Sequence, residues 1–479
     1  NDSEESKIEA TPSLLKPNKC TNISVKTGNG KAIVSWTDPE DIEKEGEICT
    51  WAGTKLVIKK GSYPTSQNDG TLVIDSTVKN QYSNTGYEAI GLENDVTYYG
   101  QLFPYSTDDV YNTDEENRFT VTPKAVTIYG VKMQISSSPT EWTRIEESEG
   151  LIANATKDGT EVQNDFDNKY PWSDIITQDI NADFTVNSNI GEADYNPRNP
   201  IGRIMTYIPD FWYKRVVEDG WEYRYIADGE VEGFTKFEAA YVSRYNASGS
   251  ISTMEVKSGV QSLGSKTISD FRTAAKNIGT GWGLLDVWAK FAIETLYLIE
   301  YADYNIQTKI GYGICSGSKS NHGGCDSLGM KSGTLNNDKT HSMIYRGMED
   351  IQGHEFQAID GINISNRQAY INKNRNSYTC DKFDGDYKRI GYVNASADGY
   401  ISKLGYDSNY PEVTLPIETK GSGSTHIPDY YWQSTGNRVV WLGGAYGSSL
   451  YCGLWCWHCS YDSSNSRSNY CARLLARPV

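Results

Sequence analysis

Cysteine thiolates spaced two to four residues apart can close a tetrahedral zinc site, and one stretch of this 479-residue chain has that spacing. Cys452, Cys456 and Cys459 follow one another at x3 and x2 intervals, with His458 between the last two and Cys471 beyond. A second cluster, Cys315-x6-His322-x2-Cys325, sits in the Gly/Ser/Asn-rich run GICSGSKSNHGGC. There a local disulfide or unpaired thiols compete with zinc. Nine cysteines in all, an odd number scattered along a long chain, do not make a compact disulfide framework and do not identify the folding compartment. No nucleophile elbow, P-loop or dinucleotide fingerprint occurs, and paired carboxylates in so acidic a chain read as solvated surface rather than as an acid/base pair.

The segment that holds the first cluster is unusual as a whole. Trp441 to Val479 reads WLGGAYGSSLYCGLWCWHCSYDSSNSRSNYCARLLARPV and contains no Lys, Glu, Gln or Met. Those four types make up about one residue in six of the chain, so roughly six are expected here by composition. What remains, chiefly Ser, Tyr, Cys, Asn, Gly, Ala, Leu, Arg, His and Asp, is reachable from an Asn codon when its adenines are replaced and its final pyrimidine is kept. Trp is not reachable, so the tryptophans read as fixed.

This pattern resembles the variable region of proteins diversified by retroelements, in which adenine-specific mutagenesis randomises Asn-rich codons of a C-type-lectin scaffold. The residues that match the family frame are Gly443-Gly444, Gly453-Leu454-Trp455, Trp457, Ser464-Asn465-Ser466 and Arg473-Leu474. Upstream, Tyr345 to Gln357 and Asp360 to Asn363 look like the Gly-Asn-Val-Trp-Glu-Trp segment of formylglycine-generating enzymes and their lectin-fold relatives, with His354 and Glu355 where Asn and Val are usual. The resemblance implies an α+β C-type-lectin fold over residues 161–479 with a variable region at about 441–475. It makes Ala445, Tyr446, Ser448, Ser449, Tyr451, Cys452, Cys456, His458, Cys459, Ser460, Tyr461, Asp462, Arg467, Ser468 and Tyr470 a diversified ligand surface. Gly443, Gly444, Gly453, Trp455, Trp457, Arg473 and Leu474 become its frame. Randomised positions also make the cysteine cluster incidental, although Cys471 stands where the family usually has a small residue. The same likeness raises oxidase chemistry, but that needs a redox-active cysteine pair, and a catalytic residue does not survive in a library. The triplets that bind calcium in lectins of this fold, Glu-Pro-Asn, Gln-Pro-Asp and Trp-Asn-Asp, are absent from the sequence, which argues against a calcium lectin.

Composition supplies an independent argument for binding. Tyr, Ser, Gly and Asn with a few Trp, Arg and His are what antibody paratopes use, because rigid aromatics give area at low entropy cost and small polar residues adapt. Tyr446, Tyr451, His458, Tyr461 and Arg467 are the anchors on that reading. Burial tendencies of large aromatics place Trp455 and Trp457 in the core instead.

Other elements must position this surface. Residues 1–18, opening NDSEESKIEATPS, read as a flexible segment. Residues 19–125 carry short β-rich runs, Asn22–Thr27, Ala32–Trp36 and Lys55–Lys59, separated by the turn signals Gly28-Asn-Gly30 and Asn68-Asp-Gly70, which predicts an all-β sandwich. Trp36 and the run Leu92 to Tyr98 resemble the strand-B Trp and tyrosine corner of fibronectin type III domains. Residues 126–160 read as a connector. The run Val126 to Ile145, with Phe166–Trp172 and Ile208–Lys214, resembles tail-fibre-like proteins of phages and prophages of Gram-positive bacteria. Apolar residues at three- and four-residue steps predict helices near Ser269–Lys276 and Leu284–Asp303, the second with Asp286, Lys290 and Glu294 on a wet side.

A net charge of −17 disfavours nucleic acid and anionic membranes as partners. The most apolar stretch, Leu284 to Ile299, is interrupted by three charges, against membrane insertion. No signal peptide is visible, and a leader removed earlier would leave the same sequence. The expectation is therefore a non-enzymatic binder with no cofactor and no metal, its partners a host-cell surface receptor (protein or glycan) and other tail or surface-display proteins. It would sit on a virion tail as an adhesin for host attachment, or on a bacterial cell surface. Tail-fibre relatives are often homotrimers, though no heptad stretch here adds to that. The competing expectation is a formylglycine-generating-type oxidase or a zinc-binding domain using Cys452, Cys456 and Cys459.

Overall fold

Strand periodicity governs far more of the chain than helix periodicity, and in the computed structural model, which describes residues 15–135 and 141–478, strands hold 37% of residues and helices 10%. The protein is a mostly β, multidomain chain. Two compact units divide it at Val126/Thr127. The first fourteen residues of the segment expected to be flexible lie outside the described residues.

In the first unit, Lys31–Thr37 alternates half-buried and buried residues along its whole length, so Ala32, Val34 and Trp36 enter one core. That strand lies between Thr21–Gly28 and Tyr87–Ile90 in a three-stranded sheet. A four-stranded sheet, ordered Thr71–Ser76, Trp51–Lys60, Tyr98–Ser106, Arg118–Val121, contributes Leu56, Ile58, Leu102 and Phe119 to the same core. Trp36 Nε1 donates to Asp38 Oδ1 at 2.8 Å, and the Tyr98 hydroxyl accepts from the Glu93 amide at 3.0 Å, so both large aromatics bury with their polar ends satisfied.

Within the stretch expected to be a connector, residues 126–160, two segments are strands of a sheet, and residues 136–140 lie outside the described residues. Ile128–Gln134 pairs with Thr143–Glu146 on one side and Trp221–Ala227 on the other, and the five-stranded antiparallel sheet continues through Phe211–Glu218 to Thr235–Phe237. Tyr129, Val131 and Met133 alternate into the core of the second unit, a period-2 pattern that makes this stretch a strand.

The helix Ile268–Lys276 is fixed by Thr267, whose side chain accepts from the Asp270 amide while Asp270 accepts from the Thr267 amide, a reciprocal cap. The helix Val287–Tyr301 starts at Asp286, whose carboxylate accepts from the Ala289 amide at 2.8 Å. Its expected wet side does not exist. Asp286, Lys290 and Glu294 are 0%, 3% and 0% exposed, because the helix is covered on both flanks. Phe291 meets Tyr213 of the five-stranded sheet, and Tyr297 meets Trp455 near the carboxy end. Its charges are paired internally: Lys290 bonds Glu294, Glu294 also receives Thr414 Oγ1 at 3.1 Å and lies 3.7 Å from Arg224, and Arg375 and Arg477 approach Asp286. Among the described residues no helix is long and apolar enough to cross a membrane.

The carboxy-terminal segment threads two six-stranded sheets. One is ordered Gly399–Tyr400, Tyr430–Gln433, Gly453–Cys459, Trp441–Gly443, Phe356–Ala358, Tyr470–Ala472. The other places Leu474–Ala476 between Ala240–Ser243 and Trp282–Leu284. Arg473 sits at the crossing.

Candidate ligand-binding face

Gly453–Cys459 is an interior strand with every residue buried. Its pleat sends Trp455, Trp457 and Cys459 into one core and Cys456 into the other. That alternation splits the cysteine cluster: x2 and x3 spacings suit a turn or helix, but on a strand positions three apart face opposite ways. Among the described residues no cysteine belongs to a convergent group of three potential metal ligands, and the described cysteines are free thiols. Cys452 lies against Cys315, with both side chains buried. Burial pushes the Cys452, Cys456, Cys459 and Cys471 thiols up, whereas the hydrogen bond from Cys452 holds Cys315 down. Buried, protonated thiols are inert. A thiol reagent added to the native chain should therefore modify Cys380, which is half-exposed, and reach all nine only in denaturant. Rapid native modification of Cys456 or Cys459 would contradict this placement.

Six residues expected on the ligand surface are therefore beneath it: Ala445, Cys452, Cys456, His458, Cys459 and Tyr470 are each less than a tenth exposed. They belong to strands or strand entries whose side chains have two cores to fill and no solvent face. The others lie in two loops. Tyr446 and Ser448 are half-buried and Ser449 and Tyr451 exposed in the first; Ser460 and Tyr461 are half-buried and Asp462, Arg467 and Ser468 exposed in the second. Trp455, Trp457, Gly443, Gly444, Gly453, Arg473 and Leu474 are all buried.

Both loops are held by main-chain groups. In the first, the Tyr446 amide donates to the His354 carbonyl at 3.0 Å, the Ser449 amide to Cys315 at 2.7 Å, and the Gly353 amide to Gly443 at 2.9 Å. In the second, Val439 donates to the Tyr461 carbonyl, Ser265 to Arg467 and Phe356 to Asn469 at 2.9–3.0 Å. The first loop needs glycine at both its entry and its exit. Gly444 has φ +83°, and a Cβ there would stand 2.5 Å from the Cys452 sulfur. At Gly453 a Cβ would meet the Asp429 carboxylate at 1.9 Å, the group that accepts the Trp455 amide at 2.7 Å.

Around the loops lies an aromatic patch that the sequence reading missed in part. Tyr451 contacts Tyr430 at 4.3 Å and Tyr400 at 5.4 Å between ring centroids, and Tyr430 contacts Trp432 at 4.8 Å. Trp432 stacks on His458 at 5.0 Å, His458 stacks on Tyr461 at 4.9 Å, and the Arg467 guanidinium sits 4.2 Å over Tyr461. Tyr400, Tyr430 and Trp432 are half-buried and outside the 441–475 window. The signal that could have found them is the Tyr430-Tyr-Trp432 alternation, which puts residues 430 and 432 on one strand face.

His458, closed in by this stack, is pulled down to about 4 by burial, with the Arg467 charge adding to it. The folded value lies below the ordinary 6.5, so the unfolded chain binds more protons between the two. Stability from the neutral ring is full above the unfolded value and lost as pH falls toward the folded one, by roughly 3 kcal/mol. His322, also held well below its ordinary value by burial, acts in the same direction. His458→Phe should flatten part of the fall in unfolding free energy between about pH 7 and about pH 4.5; an unchanged slope would place the titration elsewhere.

Arg473 ties the two sheets to the segment before the loops. Its guanidinium donates to Gln357 Oε1 at 2.9 Å and to the carbonyls of Ser243, Arg244, Glu349 and Asp350 at 2.5–3.1 Å. These contacts make the face a platform with a fixed base and two exposed rims. Comparison with protein-family models and with curated proteins finds no match for the chain, so what the face does is argued from its geometry.

Proposed function

We propose that the chain is a non-enzymatic receptor-binding protein whose second unit presents the 446–451 and 460–469 loops, with the Tyr400, Tyr430, Trp432 and Tyr451 patch, to a macromolecular ligand. The observation that carries this reading is the division of labour in the segment. Main-chain bonds and buried Trp, Gly and Arg fix the loops, while most of the exposed side chains, Asp462 and Ser463 apart, make no bond that holds the loops in place. Such a surface can change its residues without changing its fold, which is what retroelement diversification of a C-type-lectin-like scaffold demands. The ligand is a protein or glycan on a host-cell surface, and the setting a phage tail adhesin.

The first unit fits a fibronectin-type-III-like spacer: three and four strands, a buried Trp in the second strand, and a tyrosine whose hydroxyl bonds back to the amide five residues upstream. Oxidase or cysteine-zinc chemistry finds little support, since the thiols it needs are buried and divided between two cores. The experiment is adsorption of the purified chain to a panel of bacterial cells. Selective binding abolished by Tyr451→Ala with Trp432→Ala, while the fold persists, supports the proposal; binding untouched by both changes refutes it.

A further inference from the structure

We infer that His322, His354 and Glu355 form a buried site for one divalent transition-metal ion of the zinc class, beneath the candidate ligand face. Their ligand atoms lie within 4.8 Å of one another, and the residues are 4%, 0% and 0% exposed. Two imidazoles and a carboxylate are a donor set suited to zinc and its neighbours, with a fourth position left over.

The independent observation is His322. Its main chain is clamped, its amide donating to Val260 and its carbonyl accepting from Gly259, each at 2.9 Å. Its ring is fixed by packing, stacked on Tyr245 at 5.8 Å and edge-on to His354 at 5.7 Å. The Lys257 main chain lies beside the ring and favours a proton there, yet neither ring nitrogen makes a hydrogen bond of ordinary geometry. Leaving a buried polar group unpaired costs on the order of 1–3 kcal/mol, so a pre-positioned imidazole with at least one nitrogen unpartnered calls for a ligand.

The two other donors have supporting groups of the kind metal ligands use. His354 Nδ1 is 3.0 Å from Asp350 Oδ2, and a carboxylate on one nitrogen orients the other. His354 Nε2, the nitrogen then left for an ion, accepts the Ser320 amide at 3.2 Å, a bond that an ion at this nitrogen replaces. Glu355 receives the Ser262 hydroxyl on one oxygen, and Lys319 Nζ lies 2.6 Å from the other. Lys319 is the occupant an ion must displace. Its side chain is 18% exposed, so the ammonium has a route to solvent, and in the ion-free chain it supplies the positive charge that Glu355 requires.

The site's location gives it a structural role. His322 belongs to the loop between Cys315 and Cys325, and His354 and Glu355 to the turn from which His354 holds the Tyr446 amide. An ion there would cross-link the supports of the ligand face, independently of what the face binds.

The test uses the full chain stripped by chelator and titrated with zinc sulfate, then with cobalt(II). One equivalent of zinc per chain is expected, with a rise in melting temperature. The cobalt form should show visible ligand-field bands without a near-ultraviolet thiolate charge-transfer band. His322→Ala, with folding checked by circular dichroism, should abolish stoichiometric binding, whereas Lys319→Met should tighten it. A folded parent that binds no zinc, undiminished binding by His322→Ala, or a thiolate band would each overturn the site. Equal affinity of the Lys319→Met chain would overturn its placement at Glu355.

Discussion

Arg473→Ala is expected to unfold the second unit or to destabilise it severely, since each buried acceptor left without its donor costs on the order of 1–3 kcal/mol. Four main-chain carbonyls from two separate segments, Ser243-Arg244 and Glu349-Asp350, converge on this guanidinium. Truncation removes the common donor and leaves a cavity at the crossing between two sheets. Burial has already pulled Arg473 down to about 10, so the cation is kept by its hydrogen bonds rather than by hydration. Arg473→Lys should recover only part of the loss, because an ammonium cannot reproduce the planar fork. Urea unfolding followed by tryptophan fluorescence reads both variants. An Arg473→Ala chain within about 0.5 kcal/mol of the parent, the range of ordinary surface changes, would mean that these bonds contribute little.

Loop replacement is expected to do the reverse, changing binding strongly and stability hardly at all. Substituting Tyr446, Ser449, Tyr451, Ser460, Tyr461, Arg467 and Ser468 by other residues should shift unfolding free energy by about 0.5 kcal/mol or less per site. Their side chains are exposed or half-buried, and the loop anchors are main-chain groups. Ser448 and Asp462 are exceptions: Ser448 Oγ accepts the Ala445 amide at 3.0 Å, and the Asp462 carboxylate accepts the Ser464 amide at 3.0 Å and the Ser464 hydroxyl at 2.6 Å; losing either should cost about 1 kcal/mol, as for a side-chain cap. In the binding assay the same substitutions should behave as interface anchors, with Tyr451 and its neighbours worth about 2 kcal/mol or more, roughly thirtyfold in affinity. By contrast Trp455→Ala should cost about 3–5 kcal/mol in stability. A loop set that unfolds the chain as readily as Trp455→Ala does would contradict the division between frame and display.

Local signals were legible in the sequence where they were complete. The alternation around Trp36 and the turn signals beside it marked the first unit's strands, and the apolar spacing marked both helices to within a few residues. Failures came where partners lie far along the chain. Asp286, Lys290 and Glu294 read as a wet face because nothing nearby in sequence shows that Arg224, Thr414, Arg375 and Arg477 will pair with them. Residues 128–134 read as a connector because only the short strand Thr143–Glu146 pairs with them nearby, and the long partner on their other edge begins at Trp221. The candidate face was half legible. Composition located the two loops, but period 2, applied to Gly453–Cys459, would have put Cys456 and Cys459 on opposite faces and withdrawn the zinc reading. Tyr400 joins Tyr451 only through the order of strands in the sheet.

The most direct test of the central claim is to sequence the codons for residues 441–475 deeply in a population that carries this gene, with the flanking DNA searched for a near-identical template and a reverse transcriptase. Substitutions are expected at template adenines, concentrated at the exposed positions of the 446–451 and 460–469 loops, with Gly453, Trp455, Trp457 and Arg473 unchanged. A segment without variation and without a template, or variation that strikes those frame residues as often as the loops, would contradict it.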